Sequence, residues 1–120
     1  MVIVLHWEEL ANQELIIHTP AADTQQAIEA LTGLLYERGY ITDLTAFRRA
    51  VYEREAELAT ELTPTVLVPH AKSDTVLTSA IAAMPTVDKR TVFLLASRND
   101  REHIEALSRL SAKLLEEAQD

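Results

Sequence analysis

The chain of 120 residues contains no cysteine, which excludes disulfide bonds, zinc–thiolate sites and thiol nucleophiles. It has two glycines, so it lacks the glycine-rich loop that holds the phosphates of a nucleotide. No apolar run reaches the ~20 residues that a membrane-spanning helix needs. The start, MVIVLHWEEL, has no basic residue before its apolar run and is a poor signal peptide. We therefore predict a cytoplasmic protein without a cofactor and without membrane insertion.

Basic residues are also scarce. The 11 Lys and Arg residues stand against 19 Asp and Glu, which gives a net charge of −8. A protein that binds nucleic acid needs a basic face, so we expect no nucleic-acid partner. A basic protein partner fits better, because opposite charge speeds encounter.

The remaining pattern alternates strands with helices. Strands are predicted at 2–5, 14–18, 65–69, about 76–83 and 91–96, and helices from Asp23 to Arg38, from about Thr42 to Leu58 and from about Asp100 to Ala118. This alternation predicts an α/β (α+β) fold, with a mixed β-sheet flanked by helices. The length predicts one domain over residues 1–120. The first strand, VIVL, could pair with the edge of another copy, so a homo-oligomer is possible.

Two of these elements carry clear signals. Asp23 and Gln26 form the Asp-x-x-Gln pattern of a capping box, which favours a helix start. Gly39 follows Arg38 where that helix should end, and glycine readily adopts the left-handed turn of a helix C-terminus. The run TVFLLA at 91–96 is apolar on both faces, which is typical of a central strand that is covered on both sides.

Three polar residues stand where an apolar residue or a plain cap is expected. His70 follows Pro69 at the end of an apolar strand-like run in TVLVPHAKSD, and Arg54 shares a helix face with Val51. His103 lies four residues before Leu107 in the first turn of the last helix. Each has an ordinary explanation. His70 can be a strand cap, and His103 a partly buried histidine bonded to the preceding loop. Arg54 can extend its charged end to solvent near the helix end, or form an ion pair with a neighbouring glutamate (Glu53, Glu55 or Glu57).

Together, however, the three residues suit a phosphoryl group. One imidazole can be the nucleophile, the guanidinium can neutralise the phosphoryl oxygens, and the second imidazole can orient the group. A two-histidine metal site is the alternative. It lacks an obvious acidic third ligand, and the charge of Arg54 would oppose a metal ion.

The same residues lie in segments that resemble the fructose/mannitol class of enzyme IIA, from the bacterial phosphoenolpyruvate-dependent sugar phosphotransferase system. The segments are GYITDLTAFRRAVYEREAEL (39–58), VLVPHAKSD (66–74) and VFLLASRNDREHIEALSRL (92–110). Their order and spacing both match the family, and the resemblance covers about residues 14–116. At Ala71 the family usually has glycine.

The resemblance implies a function and a role for each residue. His70 matches the phosphorylated histidine, Arg54 the active-site arginine and His103 the second active-site histidine. The phosphocarrier protein HPr would supply the phosphoryl group and a IIB component would receive it, for sugar uptake. The alternative is a regulatory or degenerate IIA-like module that controls a partner by binding or by its phosphorylation state.

Overall fold

The computed structural model describes residues 7–57 and 61–118. The strand predicted at 2–5 lies outside them, so self-association through it stays a prediction. Within these residues there are two short 3-10 helices, Trp7–Leu10 and Gln13–Leu15, and three α-helices, α1 (Thr24–Glu37), α2 (Leu44–Glu57) and α3 (Asp100–Ala118). The same residues form five strands, β1 (Glu61–Thr63), β2 (Val66–Leu67), β3 (His70–Lys72), β4 (Ala80–Pro85) and β5 (Thr91–Ser97). Within the described ranges, no helix is long and apolar enough to cross a membrane.

Strand β5 is the centre of a mixed sheet. It pairs with β4 in antiparallel register on one side and with β2 and β3 in parallel register on the other. Strand β1 continues the sheet beyond β2. All seven residues of β5 are buried, which confirms both the central strand and the α/β class expected for a sheet between helices.

The sheet separates two apolar clusters because successive side chains of a strand point to opposite faces. Val92 and Leu94 pack with residues of α1 and α2 on one face. Phe93 and Leu95 pack with Leu110 of α3 on the other face. Two layers of helices therefore hold β5 and its neighbours between them.

The helix starts follow local signals in the sequence. The Asp23 carboxylate accepts a hydrogen bond of 2.8 Å from the backbone N–H of Gln26, as the capping pattern predicted. Asp43 caps α2 in the same way, accepting a bond of 3.0 Å from Ala46 N–H. Gly39 has a φ of 83° just after α1, which is the left-handed conformation that favours glycine.

Several strand predictions need correction. Residues 14–18 are not a strand: a 3-10 helix ends at Leu15, and Ile16 forms an isolated parallel bridge with Ala83, next to a hydrogen bond from Ile17 N–H to Ala83 O. The strand predicted at 65–69 is β2 alone, and the strand predicted at 76–83 begins later, at Ala80. Strand β1 was not predicted. The errors at 14–18 and 65–69 arise where the pairing partners, Ala83 and β5, lie far along the chain, beyond the reach of local periodicity. The missed strand β1 instead pairs with the nearby β2.

Pro69 explains the break between β2 and β3. Proline has no N–H for a strand ladder, but its carbonyl still accepts a bond of 3.0 Å from Leu95 N–H. The chain therefore stays beside β5 and resumes pairing at His70, opposite Leu95. His70 is thus the first residue of a short strand and is 9% exposed, rather than a cap that follows a strand at 65–69.

Candidate functional site

His70 is held by its own backbone. Its Nδ1 lies 2.9 Å from the carbonyl oxygen of Val68. A carbonyl can only accept a hydrogen bond, so Nδ1 carries the proton and donates it. In the neutral ring the other nitrogen, Nε2, then has a free lone pair. The local chain therefore fixes the tautomer that makes Nε2 a nucleophile.

His103 lies beside His70. The two ring centroids are 4.8 Å apart and the ring planes are inclined by 39°. The Nδ1 of His103 is 3.0 Å from the hydroxyl oxygen of Ser97, the last residue of β5. A hydroxyl can donate or accept, so this contact allows either tautomer of His103.

The start of α3 is tightly fixed, which positions His103. Asn99 and Glu102 form a reciprocal cap: the Asn99 side-chain oxygen accepts from Glu102 N–H at 2.9 Å, and its amide donates to the Glu102 carboxylate at 2.9 Å. Hydrogen bonds from Arg98, Ser79 and Asn99 lower the pKa of Glu102 to about 2. The Asn-x-x-Glu pattern at 99–102 is a sequence signal for this helix start that our prediction did not use.

Arg54 reaches the same place from the last turn of α2. With His70, Ala71, Lys72 and His103 it lines a cleft of about 380 Å³. Its Nη1 lies 3.8 Å from a carboxylate oxygen of Glu57, and its side chain is 37% exposed. Arg54 therefore has the glutamate neighbour of the ordinary explanation and also lines the cleft, while its action on a phosphoryl group stays a prediction.

The cleft holds charges of both signs, because Glu53 and Glu57 line it together with Arg54 and Lys72. The pKa of His103 is lowered, first by burial, then by the nearby His70 and the charge of Arg54. Two rings this close resist carrying positive charge together. The described residues contain no group of three or more His, Cys, Asp or Glu that could hold a metal ion.

The structure thus brings His70, Arg54 and His103 to one cleft, while their chemical roles stay predictions. Sequence reasoning missed Ser97 and did not include Lys72. Ser97 ends an apolar strand and gives little signal, although it precedes His103 by six residues. Lys72 follows His70 at the two-residue spacing that places side chains on one face of a strand.

Comparison with known sequences identifies the family. The sequence model described as "Phosphoenolpyruvate-dependent sugar phosphotransferase system, EIIA 2" matches residues 9–119. The chain belongs to this family. EIIA components are phosphotransferase components that carry phosphate, so the chain is a phosphoryl carrier of the sugar phosphotransferase system.

Individual EIIA relatives agree with this assignment. The chain is 31% identical over 118 residues to the fructose-specific EIIA component of Haloferax volcanii, covering 87% of this chain and 77% of that protein. It is 27% identical over 123 residues to the fructose-specific EIIABC component of Bacillus subtilis, covering 92% of this chain and 19% of that protein. The chain therefore spans only a small part of the Bacillus relative.

The EIIA fold also matches a solved structure. The crystal structure of IIA mannitol from Escherichia coli is 25% identical, with a TM-score of 0.75, and the match covers 89% of this chain and 84% of that chain. The mixed sheet between helices is therefore the fold of a mannitol-class IIA protein.

Proposed function

We propose that this EIIA chain accepts a phosphoryl group on Nε2 of His70 from phospho-HPr and passes it to a IIB component for sugar uptake. The observation that carries the proposal is the 2.9 Å contact between Nδ1 of His70 and Val68 O. In the neutral ring this contact leaves Nε2 with a free lone pair, in a cleft lined by Arg54 and His103 among others.

The transfer step balances without an added reagent. The Nε2 lone pair of His70 forms a bond to phosphorus while the N–P bond of the donor phosphohistidine breaks. The electron pair of that bond returns to the donor's ring nitrogen. With the donor phosphohistidine ring protonated on its other nitrogen, no further proton needs to move: the donor leaves as a neutral imidazole, and the positive charge passes to the His70 ring. The Val68 carbonyl stabilises this charge through Nδ1–H.

Arg54 and His103 have different parts in this step. The phosphoryl group carries about two negative charges at neutral pH, by analogy with other phosphorylated side chains. Arg54 neutralises part of that charge with a planar fork of donors. His103 donates a hydrogen bond from Nε2 when Ser97 donates to its Nδ1. Positioning and charge neutralisation are the main needs of phosphoryl transfer.

The partners follow from the family role and from the charge. The Bacillus subtilis relative carries its EIIA part in a chain named EIIABC, which supports a IIB component as acceptor for this chain. Its net charge of −8 suits a donor with a basic docking face. Both half-reactions use phosphorylated cytoplasmic proteins, so we place this chain in the cytoplasm.

The test is phosphorylation by a reconstituted donor system. The chain is incubated with phosphoenolpyruvate, enzyme I and HPr, and its intact mass is measured with and without acid treatment. We expect one acid-labile phosphoryl group on the wild type and none on His70→Ala. His103→Ala is the matched control: it should accept phosphate on His70 but pass it on roughly tenfold to a thousandfold more slowly.

Two results would change the assignment. An adduct on His103 that persists in His70→Ala would exchange the roles of the two rings. A phosphorylated chain that fails to pass its group to any IIB component would favour the regulatory alternative.

A further inference from the structure

Lys72 is a charged residue of the cleft with no part in the scheme above. It lies two residues after His70 on β3, so both side chains leave the same face of the strand. Between them, Ala71 is buried and packs with the cluster formed by α1 and α2. Lys72 lines the cleft together with His70, Arg54 and His103.

The ammonium group of Lys72 is paired with a carboxylate at the rim of the cleft. Its Nζ lies 2.7 Å from Oδ1 of Asp100, and the two side chains are 51% and 79% exposed. Asp100 is the first residue of α3, three residues before His103. Exposed ion pairs contribute little net stability, so this pair can break easily.

The charges of this pair also act on the site. Lys72 lowers and Asp100 raises the pKa of His103, although burial, His70 and Arg54 have effects at least as large. The Lys72 ammonium also borders a second polar hollow, lined by Ser73, Asp74 and Arg98 among others. Lys72 therefore lies between the cleft and this second hollow, on a flexible side chain with three donors.

We propose that Lys72 is a second cation for the phosphoryl group on His70, and that it exchanges its contact with Asp100 for a phosphoryl oxygen. This inference rests on the proposed function, in which His70 carries phosphate. A phosphoryl group with about two negative charges attracts an ammonium more strongly than one carboxylate does. Arg54 alone offsets about one of those charges.

The exchange gives Asp100 a role as a competitor. By holding Lys72 in the unphosphorylated chain, Asp100 lowers the net gain from phosphorylation. Its own negative charge also repels the phosphoryl group. A carrier has to release the phosphoryl group as well as accept it. By limiting how strongly Lys72 binds the phosphoryl group, Asp100 favours onward transfer.

The experiment is a double-mutant cycle on the phosphorylation equilibrium with HPr. The ratio of phosphorylated to free chain is measured at a fixed ratio of phospho-HPr to HPr for Lys72→Met, Asp100→Asn and the double variant. Lys72→Met should lower the ratio roughly three- to tenfold, as for loss of one charge-assisted hydrogen bond at a half-exposed site. Lys72→Arg, which keeps the charge, should restore most of the ratio.

Asp100→Asn should raise the ratio roughly two- to fivefold in the wild-type chain, the range expected for a modest electrostatic coupling. In the Lys72→Met background the effect of Asp100→Asn should be clearly smaller, because Asp100 then has no ammonium group to hold away from the phosphoryl group. Lys113→Met and Glu105→Gln are the controls. Their ion pairs with Glu116 and Arg101 have similar exposure and lie on α3 outside the cleft.

Two outcomes would overturn the exchange. One is a Lys72→Met ratio equal to that of Lys113→Met. The other is an Asp100→Asn effect of equal size with and without Lys72, which would mean that Asp100 acts on the phosphoryl group or on His103 directly. Both require a wild type that takes up phosphate. A wild type that takes up none would refute the proposed function itself, and the exchange with it.

Discussion

His70 and His103 differ because of the single atom that each Nδ1 meets. The Val68 carbonyl can only accept, so it fixes one tautomer of His70. The Ser97 hydroxyl can accept or donate, so His103 can change tautomer without losing its partner. In the proposed scheme the nucleophile, His70, needs a lone pair fixed on one nitrogen. His103 has to adjust as phosphate arrives and leaves, so a ring that can adopt either tautomer suits it. The two rings are therefore not interchangeable.

Arg54 is the first side chain on which this scheme can be tested. Arg54→Met keeps most of the apolar stem beside Val51 and removes the charge, so the fold should persist. Phosphoryl uptake from phospho-HPr should fall by roughly tenfold to a hundredfold, because one charge-assisted contact to the group is lost. Initial rates followed by intact mass measure this. Arg49→Met, an exposed arginine on the same helix, should leave the rate unchanged, and equal rates for both variants would remove Arg54 from the site.

The lowered pKa of His103 predicts that the folded state becomes less stable as the pH falls. Burial, His70 and Arg54 hold its pKa below the ordinary value of 6.5, so the unfolded chain binds the proton more readily than the folded chain. The contribution of the neutral His103 ring to the free energy of unfolding is fully present above about pH 6.5. It is lost as the pH falls from there towards the lowered pKa. His103→Asn should therefore lose less stability than the wild type between about pH 8 and about pH 5.

Urea unfolding of both proteins at each pH gives this difference directly. Other groups that titrate in the range cancel in the comparison, provided that they keep their surroundings. An identical pH dependence in the two proteins would mean that the His103 pKa is not lowered in solution.

The helices carry the site because they are fastened to each other. Arg48 of α2 donates to the buried Thr32 hydroxyl and to the Glu29 carbonyl of α1, each at 2.8 Å. It also pairs with the Glu29 carboxylate at 3.1 Å. Tyr52 bonds to that same carboxylate, and burial together with this bond raises the pKa of Tyr52 to about 12. This network holds α2, and with it Arg54, at a fixed angle to α1.

Arg48→Met should therefore destabilise the fold. It removes two hydrogen bonds and an ion pair between α1 and α2, and we expect a loss of about 1–3 kcal/mol in the free energy of unfolding. Denaturant titration measures it, with the exposed neighbour Arg49→Met as control. Thr32 keeps its own bond to the Ile28 carbonyl, so its hydroxyl is not left unpaired. A loss no larger than that of Arg49→Met would show that the network contributes little.

The elements that could be predicted from the sequence are those whose causes lie nearby in the chain. The Asp23 cap and the buried run of β5 both depend on neighbouring residues. The irregular edge at Ile17 depends on Ala83, and the break at Pro69 depends on how β5 runs past it, so neither was predicted. The site residues were visible because each breaks an apolar or capping pattern. Ser97 and Lys72 break none, and only the fold places them beside the two rings.

The domain as a whole is strongly acidic, and its cleft is lined by two cations, Arg54 and Lys72, as well as by Glu53 and Glu57. The net charge of −8 repels any further anion at long range, and the phosphoryl group itself carries about two negative charges. Arg54 and Lys72 lie where that charge arrives. The repulsion between the net charge and the phosphoryl group is spread over the surface and is screened by salt, whereas contacts inside the cleft are screened less. The attraction between the cleft cations and the phosphoryl group should therefore exceed this repulsion at ordinary ionic strength.

This balance predicts how phosphorylation changes thermal stability. Added negative charge destabilises an already acidic compact chain. A phosphoryl group held by Arg54 has the opposite effect, because it relieves the repulsion between Arg54 and the other cations of the cleft. We expect the melting temperature of the phosphorylated wild type to equal or exceed that of the free protein, measured above neutral pH, where phosphohistidine persists. In Arg54→Met, phosphorylated with excess donor, the same modification should lower the melting temperature by roughly 2–6 °C, as for the loss of about 1 kcal/mol in a domain of this size. A similar drop in the wild type would mean that the cleft cations do not engage the phosphoryl group, and that the acidic charge of the domain as a whole determines the response.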